Sequence, residues 1–213
     1  MSSVLTPTLP VASVVPHTPV TAVRTPGPEP LRFTIEQYRA LGALPEFQGL
    51  RTMLLHGEIF AMVMPNPPHD VVLGMIDDWL RTVFTSDYHV RCQMGFDIGT
   101  KSDPGPDLAV VRGSRKDYLE HTPTEAVLVV EVAESSLFLD TTTKAELYAT
   151  AGVRDYWVLD VSGRRLLVFR DPEPLPKGQG ATAYRTHMAF GSDDSIAPLA
   201  APGSAVRIAE LLP

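Results

Sequence analysis

Lys144 is the residue whose type and position point most clearly to chemistry in this sequence. The segment 142–151 is predicted to form a short helix, and at 3.6 residues per turn Lys144 shares the apolar face with Leu147, Tyr148 and Ala151. A cation on the inward face of a helix needs a nearby anion, because burial of an unpaired charge is prohibitive. We therefore expect Lys144 to have an acidic partner in the folded protein.

Two acids in apolar segments are candidates for that partner. Glu131 is the only charged residue in the run 126–132, and Asp107 opens the apolar run 107–111. Carboxylates at the ends of adjacent strands are suitable ligands for a hard divalent cation such as Mg²⁺, which also takes water and phosphate oxygens. Such a metal activates a bound water, and Lys144 could orient that water or stabilise the charge that develops on phosphorus. The three residues predict a phosphodiester hydrolysis site.

The elements that must position these residues alternate between helices and strands. Helices are predicted at 35–44, 70–86 and 142–151, a hairpin or bent strand at 51–64, and strands at 88–98, 107–111, 126–132, 154–160, 164–170 and 183–190. This order predicts an α/β domain on a mixed sheet flanked by helices, covering residues 31–213. The strand 126–132 is apolar almost throughout, so we expect it to be central and covered on both faces.

The first 30 residues differ in composition from the remainder of the chain. They are rich in Pro and Thr and contain seven of the 20 prolines, with no periodic apolar face. This composition predicts a disordered N-terminal tail at residues 1–30.

Composition also limits the cellular compartment and the binding partners that we expect for this protein. One cysteine excludes an intrachain disulfide framework, and no apolar run is long enough to span a bilayer. With no export signal, we expect a cytoplasmic protein without membrane contact. The net charge of −7 counts against a polyanionic partner, since phosphate contacts come from Lys and Arg. A metal-dependent nuclease nevertheless concentrates acids at its centre, so this class stays open.

The motifs around the three candidate residues resemble those of one known family. They are, in chain order, Pro106-Asp107, Val129-Val-Glu131-Val132, Asp140 with Lys144 and Glu146-Leu-Tyr148-Ala149, and Gly152-Val-Arg-Asp-Tyr-Trp-Val-Leu-Asp160. Together they resemble the Uma-type family of restriction endonucleases, within the PD-(D/E)XK, restriction-endonuclease-like superfamily. The resemblance extends from Phe33 to the C-terminus and is strongest over residues 106–160.

The resemblance implies a restriction-endonuclease-like fold and magnesium-dependent cleavage of DNA, with Mn²⁺ as an alternative metal. By motif match, Asp107 and Glu131 are expected metal ligands and Lys144 the catalytic lysine. Glu58, in the pair Gly57-Glu58, matches a further family acid and is a candidate third ligand. His69 matches a family histidine at the start of the next helix and is a candidate accessory residue. A homodimer is expected, because cutting both strands needs two active sites.

One departure from the superfamily pattern keeps other functions open. The usual lysine, two residues after the second acid, is replaced here by Ala133, and Lys144 matches the lysine that this family takes from the following helix. With the acidic net charge, this leaves a catalytically silent nuclease-like fold that binds nucleic acid or protein as the alternative. A metal-dependent hydrolase of small phosphoesters is a third reading. Asp140 is predicted to cap or precede its helix rather than to bind metal.

Overall fold

A mixed β-sheet with helices against both faces forms the centre of this protein. The computed structural model describes residues 29–62, 66–99, 101–175 and 182–212. Its strands are β1 (Thr52–Leu55), β2 (Glu58–Ala61), β3 (Tyr88–Cys92), β4 (Leu108–Arg112), β5 (Leu128–Ala133), β6 (Asp155–Asp160), β7 (Arg165–Pro174), β8 (Thr182–Phe190), β9 (Ser195–Ile196) and β10 (Val206–Arg207). Six of them pair in the order β3-β4-β5-β6-β7-β8, which confirms the predicted α/β class.

Strand β5 occupies the middle of this sheet, as its apolar sequence predicts. It pairs antiparallel with β4 and parallel with β6, whereas the other neighbours in the sheet are antiparallel. A parallel pair needs a crossover connection, and the helical segment between β5 and β6 supplies it. All six residues of β5 are buried, Glu131 included.

Three helical segments in the described ranges accompany the sheet. Helix α1 is Ile35–Gly42 and α2 is Pro67–Val83; α3, residues 137–150, consists of Leu137–Leu139, a π-helical turn Asp140–Lys144, and Ala145–Thr150. Single 3₁₀ turns lie at Pro45–Phe47, Arg115–Tyr118 and Ile208–Glu210. The apolar stripe of α2 packs on one face of the sheet, here called the α2 face, and α3 packs on the other, the α3 face. The apolar core therefore lies in two layers around β5.

The two largest departures from the predicted element boundaries have local reasons. Helix α3 begins at Leu137, five residues before the predicted start. The hydroxyls of Thr141 and Thr142 donate to backbone carbonyls one turn back, so these polar residues fit inside the helix although their types are not typical of one. Strand β3 ends at Cys92 and not at residue 98, because Gln93 adopts a left-handed backbone conformation with φ 49°.

Strands β1 and β2 form a separate two-stranded hairpin, within the predicted segment 51–64. His56 and Gly57 at its turn both have positive φ, at 50° and 80°, as a tight hairpin turn requires. Met53 and Leu55 of β1 pack against Leu147 of α3, so the hairpin lies beside the helix that carries Lys144. The end of this segment, residues 63–65, lies outside the described residues.

The predicted tail also falls almost entirely outside the described residues, which begin at Glu29. The residues from Leu31 onward form one compact unit. None of the helices in the described ranges has the length and apolar character needed to cross a bilayer.

Candidate active site

The sheet places Asp107 and Glu131 side by side. Asp107 immediately precedes β4, and the antiparallel pairing of β4 with β5 brings the start of β4 next to the end of β5. The Val132 backbone N–H donates to Asp107 Oδ2 at 2.9 Å, and the Asp107 backbone N–H lies 3.4 Å from Glu131 Oε2. Two acids that are 24 positions apart in sequence thus share one corner of the sheet.

Helix α3 brings Lys144 to the same corner. Lys144 is 5 % exposed, and its Nζ lies 2.9 Å from Glu131 Oε2 and 3.1 Å from Asp140 Oδ1. The buried ammonium therefore has the acidic partner that the sequence requires, together with a second one. Because an ammonium carries three donors, one N–H remains beyond these two contacts.

Asp140 is a member of this charged cluster, and the prediction that it merely caps or precedes the helix is wrong. It is 1 % exposed, lies inside α3 in the π-helical turn, and accepts a hydrogen bond from Ser136 Oγ. The Tyr156 hydroxyl donates to the Asp140 backbone carbonyl at 2.8 Å, which joins this turn to β6. The Asp140 carboxylate therefore holds Lys144 from within the same helix.

Glu131 is held by hydrogen bonds on both carboxylate oxygens. The Tyr148 hydroxyl donates to Oε1 at 2.7 Å, while Lys144 and the Asp107 backbone contact Oε2. Tyr148 itself is completely buried and packs against Tyr156 and Phe96. A fully packed aromatic ring thus determines where this acid points.

His69 reaches the cluster from the first turn of α2. Its Nε2 lies 3.4 Å from Asp107 Oδ2, and its Nδ1 lies 3.5 Å from Asp70 Oδ1. Asn66 caps α2 by accepting from the His69 backbone N–H, which places the imidazole at the positive end of a 17-residue helix. The structure therefore brings together Asp107, Glu131, Lys144 and His69.

The cluster contains more negative than positive groups. Burial raises the pKa of Glu131, and the carboxylates of Asp140 and Asp107 add to this while Lys144 opposes it. Burial by itself would lower the pKa of Lys144, but the carboxylates of Glu131 and Asp140 raise it above the ordinary value, so Lys144 is protonated at neutral pH. Three acids thus share one ammonium and one imidazole.

His69 and Asp107 shift each other's pKa in opposite directions. Contact with the Asp107 carboxylate raises the pKa of His69, although burial acts against it. Burial alone would raise the pKa of Asp107, but His69 and the Val132 N–H hold it below the ordinary value. Asp107 is therefore more firmly ionised than Glu131.

The four residues line a cavity of about 430 Å³. Its walls come from the β1–β2 hairpin, the start of α2, the end of β3 and the residues between β5 and α3. The other lining residues are Arg51, Met53, Phe60, Ala61, Met62, Asn66, Gln93, Val132, Glu134, Ser135, Ser136 and Leu139. A cavity of this size accommodates a small group such as a phosphodiester with its adjoining sugar.

Glu58 does not join this cluster, contrary to the expectation that it is a third ligand. It begins β2 next to the hairpin turn, where its carboxylate lies 2.6 Å from Arg32 Nη1, and it is absent from the cavity lining. Within the described ranges, no group of three or more His, Cys, Asp or Glu side chains is arranged to hold a metal ion. Any metal here would rely on fewer protein ligands.

Gln93 also lies beside the cluster, although nothing in the sequence indicated it. This residue follows β3 with φ 49°, and its Nε2 lies 3.5 Å from Asp107 Oδ1. A left-handed conformation at a non-glycine residue is a strained feature that concentrates at functional sites. The alternating pattern of residues 88–98 carried no signal of it.

Comparison with known proteins agrees with this fold. The model of a family described as "Uma2: Putative restriction endonuclease" matches residues 35–205. The chain belongs to the Uma2 family. This membership confirms the resemblance inferred from the motifs, and the matched region includes every residue of the charged cluster.

A solved structure shares the fold of this Uma2 protein. It is the crystal structure of a putative nuclease belonging to DUF820 from Anabaena variabilis, with a TM-score of 0.65 and 17% sequence identity. The alignment covers 84% of this chain and 97% of that chain. No curated protein matches the sequence. The protein is thus a member of a restriction-endonuclease-like nuclease family with the corresponding fold.

Proposed function

We propose that this protein is an endonuclease that hydrolyses DNA phosphodiester bonds with Mg²⁺, or Mn²⁺ in its place. The observation that carries the proposal is the buried Lys144 ammonium, 2.9 Å from Glu131 on β5, beside Asp107 at the start of β4 and open to a cavity. Family membership supports nuclease chemistry, and the DNA substrate and the metal are the further steps proposed here.

The donor set fits a divalent cation. Mg²⁺ is commonly held by one or two carboxylates, with water and substrate phosphate completing its shell, so a three-ligand cluster is unnecessary. Among the residues that the structure describes, Asp107 Oδ1 has only a long contact, to Gln93. The excess of acids over cations in the cluster favours added positive charge. Asp107 and Glu131 would hold the metal, which when bound supplies an activated water and neutralises charge on the phosphate.

Lys144 is suited to the role of a charge-stabilising donor. Its raised pKa keeps it protonated at neutral pH, so it does not act as the base. Glu131 and Asp140 hold its Nζ in place, and the remaining N–H can donate to the attacking water or to a phosphate oxygen. A preorganised cation of this kind stabilises the charge that develops in the transition state.

His69 has a supporting role in this proposal. Its contact with Asp107 keeps that carboxylate ionised and oriented toward the cavity. Replacement of His69 by Ala is therefore expected to weaken metal binding more than it lowers the rate at saturating metal, by analogy with outer-shell partners whose loss costs about 10- to 100-fold in metal affinity.

Cleavage of supercoiled plasmid and linear duplex DNA tests the proposal. Wild-type protein is expected to cut with Mg²⁺ or Mn²⁺ and to stop when a chelator is added. Asp107→Asn, Glu131→Gln and Lys144→Met are each expected to lose at least about 100-fold in rate. Glu173→Gln, a surface acid that pairs with Arg185, serves as the matched control and should cut like wild type.

Other outcomes identify the competing functions. DNA retention in a gel shift without cleavage under any metal would establish the catalytically silent binding module. Turnover of a chromogenic phosphodiester without any action on DNA would establish a small-molecule hydrolase instead. Equal cleavage by wild type and all three site variants would show that the cluster is not the active centre.

A homodimer is part of the proposal, because one cavity cuts one strand. Two copies related by a two-fold axis would present one cavity to each of the two antiparallel strands. Sedimentation of the protein with and without duplex DNA tests this. A dimer should linearise plasmid with little nicked intermediate, whereas a monomer should accumulate nicked circles.

A further inference from the structure

Arg51 lines the cavity, and its guanidinium has no acidic partner in the described part of the chain. It directly precedes β1, it is partly buried, and the Met62 backbone N–H donates to its carbonyl at 2.8 Å, which anchors its main chain in the hairpin. Among the described residues, no carboxylate pairs with its guanidinium and no acceptor bonds it. Arg32 and Arg81, by contrast, each pair with an acid, at 2.6 Å and 2.8 Å.

The other charged residues of the cavity lining indicate what Arg51 could bind. Asp107, Glu131 and Glu134 line the cavity and repel a polyanion. Lys144 is largely neutralised by its two carboxylate partners. His69 likewise lies next to Asp107 and Asp70, so in the described part of the lining Arg51 is the cation without a carboxylate partner. A guanidinium is also well suited to phosphate, because its fork of donors can bind two oxygens at once.

We propose that Arg51 grips a backbone phosphate of the DNA strand next to the bond that is cut. This inference rests on the proposed function and adds a specific substrate contact to it. Arg51 contributes affinity and placement of the strand, whereas the chemical step belongs to the cluster around Lys144. The contact acts equally on bound substrate and transition state, so it appears in KM rather than in kcat.

The test compares full-length wild type with Arg51→Gln, Arg51→Lys and a control, Arg185→Gln. Arg185 is exposed and pairs with Glu173 on β7, and it is not among the cavity residues. Binding of a fluorescent duplex is measured at several salt concentrations with Ca²⁺ in place of Mg²⁺, and cleavage kinetics are measured with Mg²⁺. Thermal unfolding of each variant confirms that it is folded.

Arg51→Gln is expected to raise both Kd and KM about 10-fold and to leave kcat within about twofold, because one phosphate contact is lost. The slope of log K against log salt should become shallower by about one unit. Arg51→Lys should keep most of the slope, and Arg185→Gln should behave like wild type.

Two results overturn this inference while the proposed function stands. One is an Arg51→Gln protein that binds and cuts with wild-type Kd, KM and salt slope. The other is a fall in kcat with KM unchanged, which would place Arg51 in the chemical step. A wild-type protein that neither binds nor cuts DNA would instead overturn the proposed function, and the phosphate contact with it.

Discussion

The candidate site is a balance of buried charges held by hydrogen bonds. Lys144 forms ion pairs with Glu131 on the sheet and with Asp140 on its own helix. The Tyr148 hydroxyl orients Glu131 by donating to its carboxylate. Removal of one acid leaves the ammonium with its other partner. Removal of the ammonium leaves several carboxylates facing one another in a buried place, which is the more costly state.

Two substitutions that nearly preserve side-chain size compare the cost of losing one acid with the cost of losing the ammonium. Glu131→Gln should keep the free energy of unfolding within about 1 kcal/mol of wild type, because burial disfavours the charged form of this side chain and the amide oxygen can still accept from the Tyr148 hydroxyl. Lys144→Met should lower it by about 3 kcal/mol, since it leaves buried charges uncompensated. Urea unfolding at neutral pH gives both values. A larger loss for Glu131→Gln than for Lys144→Met would contradict this account of the cluster.

Asp140→Asn isolates the partner that lies within the helix. Lys144 would keep Glu131 but lose its second carboxylate, so we expect a loss of about 2 kcal/mol in stability and a lower cleavage rate. Urea unfolding and plasmid cleavage report the two effects. Thr142→Ser, an exposed change in the same turn that keeps a hydroxyl, is the control. Wild-type stability and rate for Asp140→Asn would remove Asp140 from the site.

At the scale of elements, the β1–β2 hairpin supplies one wall of the cavity, and its shape depends on a tight turn. Gly57 has φ 80°, and its carbonyl accepts from the Phe33 backbone N–H at 2.8 Å. A Cβ at this position would lie 3.0 Å from Arg32 Cβ and 3.1 Å from the Phe33 carbonyl oxygen. The turn therefore tolerates no side chain there, for steric as well as conformational reasons.

Gly57→Ala and His56→Gly should have opposite effects on this hairpin. The alanine meets both the strained backbone and the close contacts, so we expect stability to fall by about 2 kcal/mol. The glycine relieves a left-handed histidine at φ 50°, so stability should be unchanged or rise by up to about 1 kcal/mol. Differential scanning calorimetry of both variants checks the signs, and a stabilised Gly57→Ala protein would refute the steric argument.

At the scale of the whole molecule, the two faces of the sheet carry different tasks. The α2 face is apolar and is completed by the C-terminal residues, among them Ile208, which is completely buried. The α3 face contains the charged cluster beside its own aromatic core. Asp155 ties the C-terminal segment to the sheet, since it accepts from Arg170 and from the Leu199 backbone N–H. The C-terminal apolar contacts and the buried Lys144 cluster therefore lie on opposite faces of the sheet.

Ile208→Ala tests this separation. Deletion of the buried side chain leaves a cavity and should cost about 3 kcal/mol in unfolding free energy. Because Ile208 packs on the α2 face, cleavage per folded molecule should stay at the wild-type level at low temperature. Leu199→Ala, at a residue that is 47% exposed, should change neither quantity. A cleavage rate that falls while the protein is fully folded would show that the two faces are coupled.

Much of this protein follows from local patterns in its sequence. The apolar run 126–132 predicted a central strand, the helical stripe around Lys144 predicted a buried ammonium, and the motif order predicted the Uma2 family. Such patterns can be recognised in a sequence because buried positions recur with the period of the helix or strand that contains them. A charge inside an apolar period stands out for the same reason.

The tertiary structure alone decided which charges meet. Asp140 lies in a threonine-rich turn that reads as a loop, and Arg51 and Gln93 lie at strand ends without any periodic signal. Glu58 shares a family motif with the site and yet faces Arg32. These placements depend on a π-helical turn, a left-handed residue and the register of β4 on β5. The register joins residues that are far apart in sequence, so no local pattern encodes which charges meet.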